Sequence, residues 1–331
     1  AGIPTLLLVG NHDVSPATGR AHTLQEFKTL AVPHIHVADS IRLFSAEELG
    51  APVQIITVPW VSYSRMAALD VAADLSREAV FEEAENLVGE LVNKAIEAAD
   101  PDLPLILTAH ASVQGAVFGS ERAVMLGNEL VLGGSLVRDK RLDYVALGHI
   151  HKHQELSAKG THPPIIYPGS IERIDFGEVN ERKGFVVAEV SRGHTDWDFV
   201  GLKTRRFLDI KIDTADADSF MADIMMQLPD AEKVAGAVCR VQLTYPRDWE
   251  ALLDEKAIQD HFAEALSVQI QKHRQIEKRS RLGDTLAVES MTPQELLSTY
   301  WKTVGLDEDE AGVMQELAAE VLGDAMVDSK Q

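Results

Sequence analysis

The chain has 331 residues, 45% of them hydrophobic, with a formal net charge of −21. That is ample for a large core plus satellite domains, and it excludes a surface that grips nucleic acid throughout, because such a grip rests on lysines and arginines displacing counterions from phosphates. No apolar run approaches a membrane span, and the first residues lack the charged, apolar and cleavage-site layout of a signal peptide, so a cytoplasmic chain with no membrane partner is expected.

The first predicted element is the apolar run 6–9, which ends in Gly10-Asn11-His12-Asp13. A short apolar run followed by glycine and metal-capable side chains reads as a buried parallel strand delivering a site at its carboxyl end. Further strand-like runs lie at 53–58, 104–108, 143–147, 165–167 and 185–190. The stretch 78–99 between them repeats Val80, Ala84, Leu87, Leu91 and Ala95 at helical spacing, so the first two hundred residues are α/β.

After Arg206 the order changes to strand (FLDIKID), helix (ADSFMADIMMQL), strand (GAVCRVQLTY), helix (DEKAIQDHFAEAL) and strand (SVQIQ), which predicts a small separate α/β domain over 206–276. Cys239, the single cysteine, lies in its middle strand and reads as a small buried residue with no disulfide and no catalytic role. Residues 277–291 are polar and read as a linker. Thr292 then caps a helix with Pro293 at its first position and Glu295 at its third, Gly305 ends it, and Asp307 opens another. Leu296, Leu297, Tyr300, Trp301 and Val304 form one apolar stripe and Val313, Leu317, Val321 and Leu322 a second. The bland account packs these stripes on each other; a helical hairpin on a polar linker also suits docking to a partner's helices, with Leu296, Leu297, Tyr300, Trp301, Leu317 and Val321 as contacts. The basic stretches RDKR (138–141), KTRR (203–206) and KHRQIEKRSR (272–281) read as solvated faces or linker.

Chemistry concentrates at three strand ends: Asn11 and His12 after the first strand, His110 after LPLIL, and His149 and His151 after DYVAL. Alternate positions in extended chain face the same side, so His149 and His151 can address one cluster. A lone histidine is usually structural, but this set at the ends of one sheet reads as ligands. Imidazole and amide ligands suit manganese, iron or zinc, and a metal pair about 3.5–4 Å apart can clamp both oxygens of a phosphoryl displacement. Such a pair needs bridging carboxylates, and no Asp-x-His or Gly-Asp precedes GNHD.

GNHD, a strand-end histidine and GHIH, in this order, resemble the third, fourth and fifth motifs of the calcineurin-like metallophosphoesterases. RLDYVALGHIHKHQ and YPGSIERIDFGE (167–178) resemble more narrowly the SbcD-type exonuclease subunits. The resemblance implies a metallophosphoesterase sandwich over 1–205, a capping domain that helps position DNA over 206–276, and a linker with partner-binding helices over 277–331. It implies Asn11, His110 and His149 as ligands of one metal, His151 as a ligand of the other, and His12 beside the scissile phosphate as the group that protonates the leaving oxygen. It also implies two divalent ions, most often manganese, 3' to 5' exonuclease and single-strand endonuclease action on DNA, an SbcC-type coiled-coil ATPase as partner, and a homodimer.

The chain departs from the pattern at its start. Only nine residues precede Gly10, and the first two motifs are not among them. The expectation is a sandwich incomplete at the N-terminus through truncation, with at most one weakly held metal and little activity alone. The alternatives are a non-catalytic scaffold binding DNA and the ATPase, and a small-molecule phosphodiesterase.

Overall fold

The structure, a computed structural model, describes residues 2–14, 22–61, 77–119, 130–158, 160–214, 216–275, 292–304, 310–315 and 317–318. The chain divides into two compact units: Ala1–Ile212 with Met225–Gln242 and Asp254–Gln271, and Asp213–Ile224 with Leu243–Leu253 and Lys272–Gln331.

The first 201 residues contain strands β1 (Thr5–Leu8), β2 (Ile35–Ala38), β3 (Arg42–Phe44), β4 (Gln54–Val58), β5 (Leu105–His110), β6 (Ser112–Val113), β7 (Val131–Leu132), β8 (Tyr144–Gly148), β9 (Gln154–Glu155), β10 (Ile165–Tyr167), β11 (Gly184–Ser191) and β12 (His194–Gly201). Their helices are α1 (Gln25–Thr29), α2 (Ala46–Leu49), α3 (Arg77–Ala98) and α4 (Gly134–Val137). The α/β expectation holds: a six-stranded sheet runs β3-β4-β5-β8-β10-β9, with β4, β5, β8 and β10 parallel and both edges antiparallel. The apolar runs became central strands because both faces are covered. Ile56, Leu107, Val145 and Ile165 are all buried in one cluster with the inner face of α3.

Helix α3 lies where its periodicity predicted, but its buried face is Val80, Ala84, Val88, Val92, Ala95 and Ile96. Leu87 and Leu91 stand at the rim, 39% and 36% exposed. The core selects the fourfold spacing from Val80 to Ile96, which valines, Ala84 and Ile96 fill.

β5 and β8 pair from Ile106↔Tyr144 to His110↔Gly148, so the two strands finish level and release their next residues at one sheet edge. β1 corrects the single-sheet reading. It pairs in parallel with β2 in a separate two-stranded sheet. The amide of Trp60, just after β4, donates to the carbonyl of Val9 at 2.8 Å and draws the end of β1 toward the larger sheet.

β11 and β12 form a hairpin of eight facing pairs around Arg192-Gly193, with Gly193 at φ +77° as the tight turn requires. Fully buried Asp143 receives the amides of Gly193 (2.6 Å) and Leu105 (2.8 Å) and the Arg192 guanidinium (2.9 Å), which fastens the hairpin tip at the start of β8.

Downstream, β13 (Phe207–Asp213), β14 (Val238–Pro246) and β15 (Ser267–Gln275) make a three-stranded sheet, and α5 (Phe220–Gln227), α6 (Ala231–Val234) and α7 (Glu255–His261) lie between them in sequence. The expected strand and helix order is present, with α6 added. Phe220 stands edge-on to Tyr245 and Trp249. Cys239 is buried, and burial pushes its thiol pKa up.

Helix α8 (Pro293–Val304) begins with the predicted reciprocal cap: the Glu295 carboxylate accepts from the Thr292 amide (2.7 Å), and the Glu295 amide donates to the Thr292 hydroxyl (3.3 Å). Leu296, Leu297 and Trp301 are half-buried, whereas Tyr300 and Leu317 are exposed. The linker 277–291, Gly305, Asp307, Val321 and Leu322 lie outside the described residues.

Arginines of the basic stretches serve local structure. Arg138 donates to the Gly134 carbonyl, Arg141 pairs with Asp139, Arg206 donates to the carbonyls of Glu232 and Ala235, and Arg274 pairs with Glu250. Among the described residues no helix is long and apolar enough to cross a membrane.

Candidate functional site

His110 is the last residue of β5, and its Nε2 lies 2.9 Å from Asn11 Oδ1 in the turn after β1. The His149 ring, just past β8, is 5.3 Å from the His110 ring, and Trp60 closes the group at 5.0 Å from His149 and 6.1 Å from His110. Residues from the ends of three strands, and from the segment after a fourth, therefore meet in one place. Two glycines make the approach possible. A Cβ on Gly10 would stand 2.7 Å from His110 Cε1, and one on Gly148 would stand 3.2 Å from His110 Nδ1. His149 holds φ +101°, a region that bulky residues rarely occupy and that concentrates at functional sites.

Asp13, next to the predicted donors, has a structural task. It accepts from the Gly10 amide and the Thr23 hydroxyl, both at 2.7 Å, and so fixes the turn that presents Asn11. His12 is exposed in that turn. Burial, and next the proximity of His149, with smaller contributions from His12 and His151, lower the His110 pKa to about 4 against an opposing pull from Asp13. At neutral pH His110 is an uncharged imidazole with a lone pair to offer.

His151 is fixed from a different side. Its Nδ1 is 2.8 Å from Glu178 Oε1, and Glu178 Oε2 lies 3.0 Å from Lys183 Nζ and accepts the Ile174 amide at 3.2 Å. Burial raises the Glu178 pKa, but hydrogen bonds from His151, Lys183 and the Ile174 amide outweigh it and hold the carboxyl below its ordinary range. The Ser170 amide donates to the His151 carbonyl at 3.0 Å, and Gly169, at φ +79°, allows the approach; a Cβ there would stand 2.6 Å from the same carbonyl oxygen.

Two donors bound to one cation at about 2.1 Å and at right angles lie about 3 Å apart. Asn11 Oδ1 and His110 Nε2, at 2.9 Å, form a hydrogen bond whose proton an ion would replace at that same spacing. Among the described residues no three His, Cys, Asp or Glu side chains gather as a metal cage. The donors present thus fit part of one ion's shell and do not fit a complete pair. Trp60 and Glu178 were not singled out in the sequence. Trp60 follows β4 at the same sheet end as His110, a usable signal, whereas nothing local marks Glu178 as the partner of a histidine far along the chain.

Residues 1–153 match the family model described as calcineurin-like phosphoesterase. The chain is 24% identical over 210 residues to the SbcD subunit of the nuclease SbcCD of Staphylococcus epidermidis, a match that covers 63% of this chain and 52% of that protein. It is 31% identical over 147 residues to the uncharacterized metallophosphoesterase YhaO of Bacillus subtilis, covering 43% of this chain and 35% of that protein. The chain thus spans 52% and 35% of the lengths of these two curated relatives.

Proposed function

We propose that the chain, whose residues 1–153 match the family model described as calcineurin-like phosphoesterase, is the hydrolytic part of an SbcD-type nuclease, a phosphodiesterase that trims DNA ends during double-strand break repair. The observation that carries this reading is the convergence of Asn11, His110 and His149 from separate strand ends, with two donor atoms at cis-ligand spacing. The similarity to the SbcD subunit of a nuclease supports the choice of DNA over a small molecule.

In this reading Asn11, His110 and His149 hold one divalent ion, manganese by preference, and His151 contributes to a second. Bound ions would activate water and neutralise phosphate charge. His12, exposed on the turn beside these donors, protonates the leaving oxygen. Residues 1–205 act as the nuclease core, 206–276 as the capping domain, and 277–331 as the linker and helices that grip a coiled-coil SbcC-type ATPase. The assembly is a cytoplasmic homodimer.

One observation favours a second reading, a non-catalytic scaffold: among the described residues no three ionisable ligands gather. A manganese-dependent exonuclease assay on duplex ends separates the two. The chain as it stands should turn over little, and a form extended N-terminally with an Asp-x-His and a Gly-Asp motif should be active and lose that activity on His12→Ala. Robust turnover by the chain itself would refute the incomplete site. An extended form that stays inactive with manganese and the ATPase present would favour the scaffold.

A further inference from the structure

We propose that the cleft between the turn after β6, the end of α4 and the edge strand β9 is a phosphate subsite, which takes a phosphodiester of the nucleic-acid strand beside the one at the imidazole cluster. The proposal rests on the nucleic-acid reading above and deepens it by naming side chains that hold the strand. The cleft measures about 300 Å³, and its polar lining is Gln114, Arg138, Lys152, Gln154 and Glu155. Chain continuity ties it to the cluster: Lys152 directly follows His151, and Gln114 lies four residues beyond His110.

The lining carries two cations and one carboxylate in a chain whose net charge is −21, so the sign of the charge reverses locally. Lys152 Nζ meets no acceptor among the described residues. The Arg138 guanidinium is oriented by one bond, from Nη1 to the Gly134 carbonyl at 2.9 Å, which leaves Nε and Nη2 as a planar fork with no acceptor among the described residues. Gly134 keeps the space beside that fork open, since a Cβ there would collide with Arg138 Nη1 and stand 3.7 Å from Gln114 Oε1. The opposing carboxylate is engaged: Glu155 Oε1 accepts from the Ser157 hydroxyl at 2.8 Å. The walls are also braced. Gln154 Oε1 accepts from the Val117 amide and Gln154 Nε2 donates to the Val117 carbonyl, both at 2.8 Å, so a side-chain amide pairs with backbone as a strand would and holds the turn against β9. Such preorganisation lowers the ordering cost of binding. A solvated basic face makes the opposite claim, that these charges act no differently from Lys140 nearby.

The test measures binding of a labelled single-stranded oligodeoxythymidylate to the full chain by fluorescence anisotropy, in EDTA so that neither turnover nor a metal-held phosphate contributes. On a single strand, log affinity falls against log salt with a slope of about −0.7 per phosphate neutralised. Lys152→Gln with Arg138→Gln should flatten the slope by about 1.4 and weaken binding at least about 10-fold at about 50 mM salt. Lys152→Gln alone removes no bond of the fold and should flatten it by about 0.7, which keeps the test decisive if the double variant fails to fold. Lys140→Gln, outside the cleft, should leave the slope unchanged. An unchanged slope in Lys152→Gln, or an equal change in Lys140→Gln, overturns the subsite and leaves the nuclease reading standing. Inorganic phosphate is the second probe, followed by the Arg138 Nε–H signal of the 15N-labelled chain. If phosphate shifts that signal but the oligonucleotide does not bind, the proposal and the nucleic-acid reading fail together, and the cleft belongs to a small phosphate. If neither binds, the cleft is no phosphate site at all.

Discussion

Acidifying the chain from neutral pH should cost stability through His110 in particular. Its folded pKa is about 4 against an ordinary 6.5, because burial and the neighbouring imidazoles oppose a charge there. At 1.36 kcal/mol per pKa unit the difference corresponds to about 3 kcal/mol. The direction follows from which state takes the proton. Above 6.5 neither state binds it and the stability is intact. As the pH falls below 6.5 the unfolded chain binds a proton that the fold refuses, so the loss grows until about pH 4 and then levels off. Carboxylates titrate over part of the same range, so the measurement compares urea unfolding of the wild type and of His110→Gln at neutral pH and at about pH 4.5. The wild type should lose about 2–3 kcal/mol more than the variant. The titration of the His110 ring itself, followed by NMR, should have a midpoint near 4. A ring that titrates with the ordinary midpoint, or equal acid losses in the two proteins, would refute the burial argument.

Gly169→Ala should destabilise by about 1–3 kcal/mol, from the positive φ together with the contact at the His151 carbonyl, and thermal unfolding will read it; an unchanged midpoint would show that this loop does not constrain His151. Leu297→Glu with Trp301→Glu should remove at least about 2 kcal/mol of affinity for a coiled-coil ATPase of the SbcC type, measured by co-purification and titration, with the melting of the six-stranded-sheet core unaltered. Unchanged binding, or melting of that core, would place the stripe in the core instead.

The central strands and α3 could be read from the sequence because their apolar runs are long enough to show a period. β12 was not. It alternates Thr195, Trp197 and Phe199 on one side with His194, Asp196 and Asp198 on the other, and the polar half hides the strand from a search for apolar runs. The Arg192-Gly193 turn was its one usable signal. At the site, the histidines could be read because each directly follows a strand. Their supports could not. The bonds from Glu178 to His151, from Asp143 to the β11–β12 turn, and from Trp60 to Val9 join residues far apart in sequence, and they exist only once the sheet has brought those residues together. The same reason explains why β1 read as one more strand of the main sheet. Sequence shows that a strand forms, and its neighbours are chosen by packing.

His149, at φ +101°, occupies backbone space where glycine would sit without strain and a histidine pays about 1–3 kcal/mol. At this position heat resistance and chemistry pull in opposite directions. A directed-evolution campaign that screened this chain only for survival at high temperature would gain by replacing His149 with glycine, and would deliver a hardier protein with its imidazole cluster dismantled. Any engineering of the chain for robustness should therefore hold position 149 fixed and look for stabilising changes elsewhere.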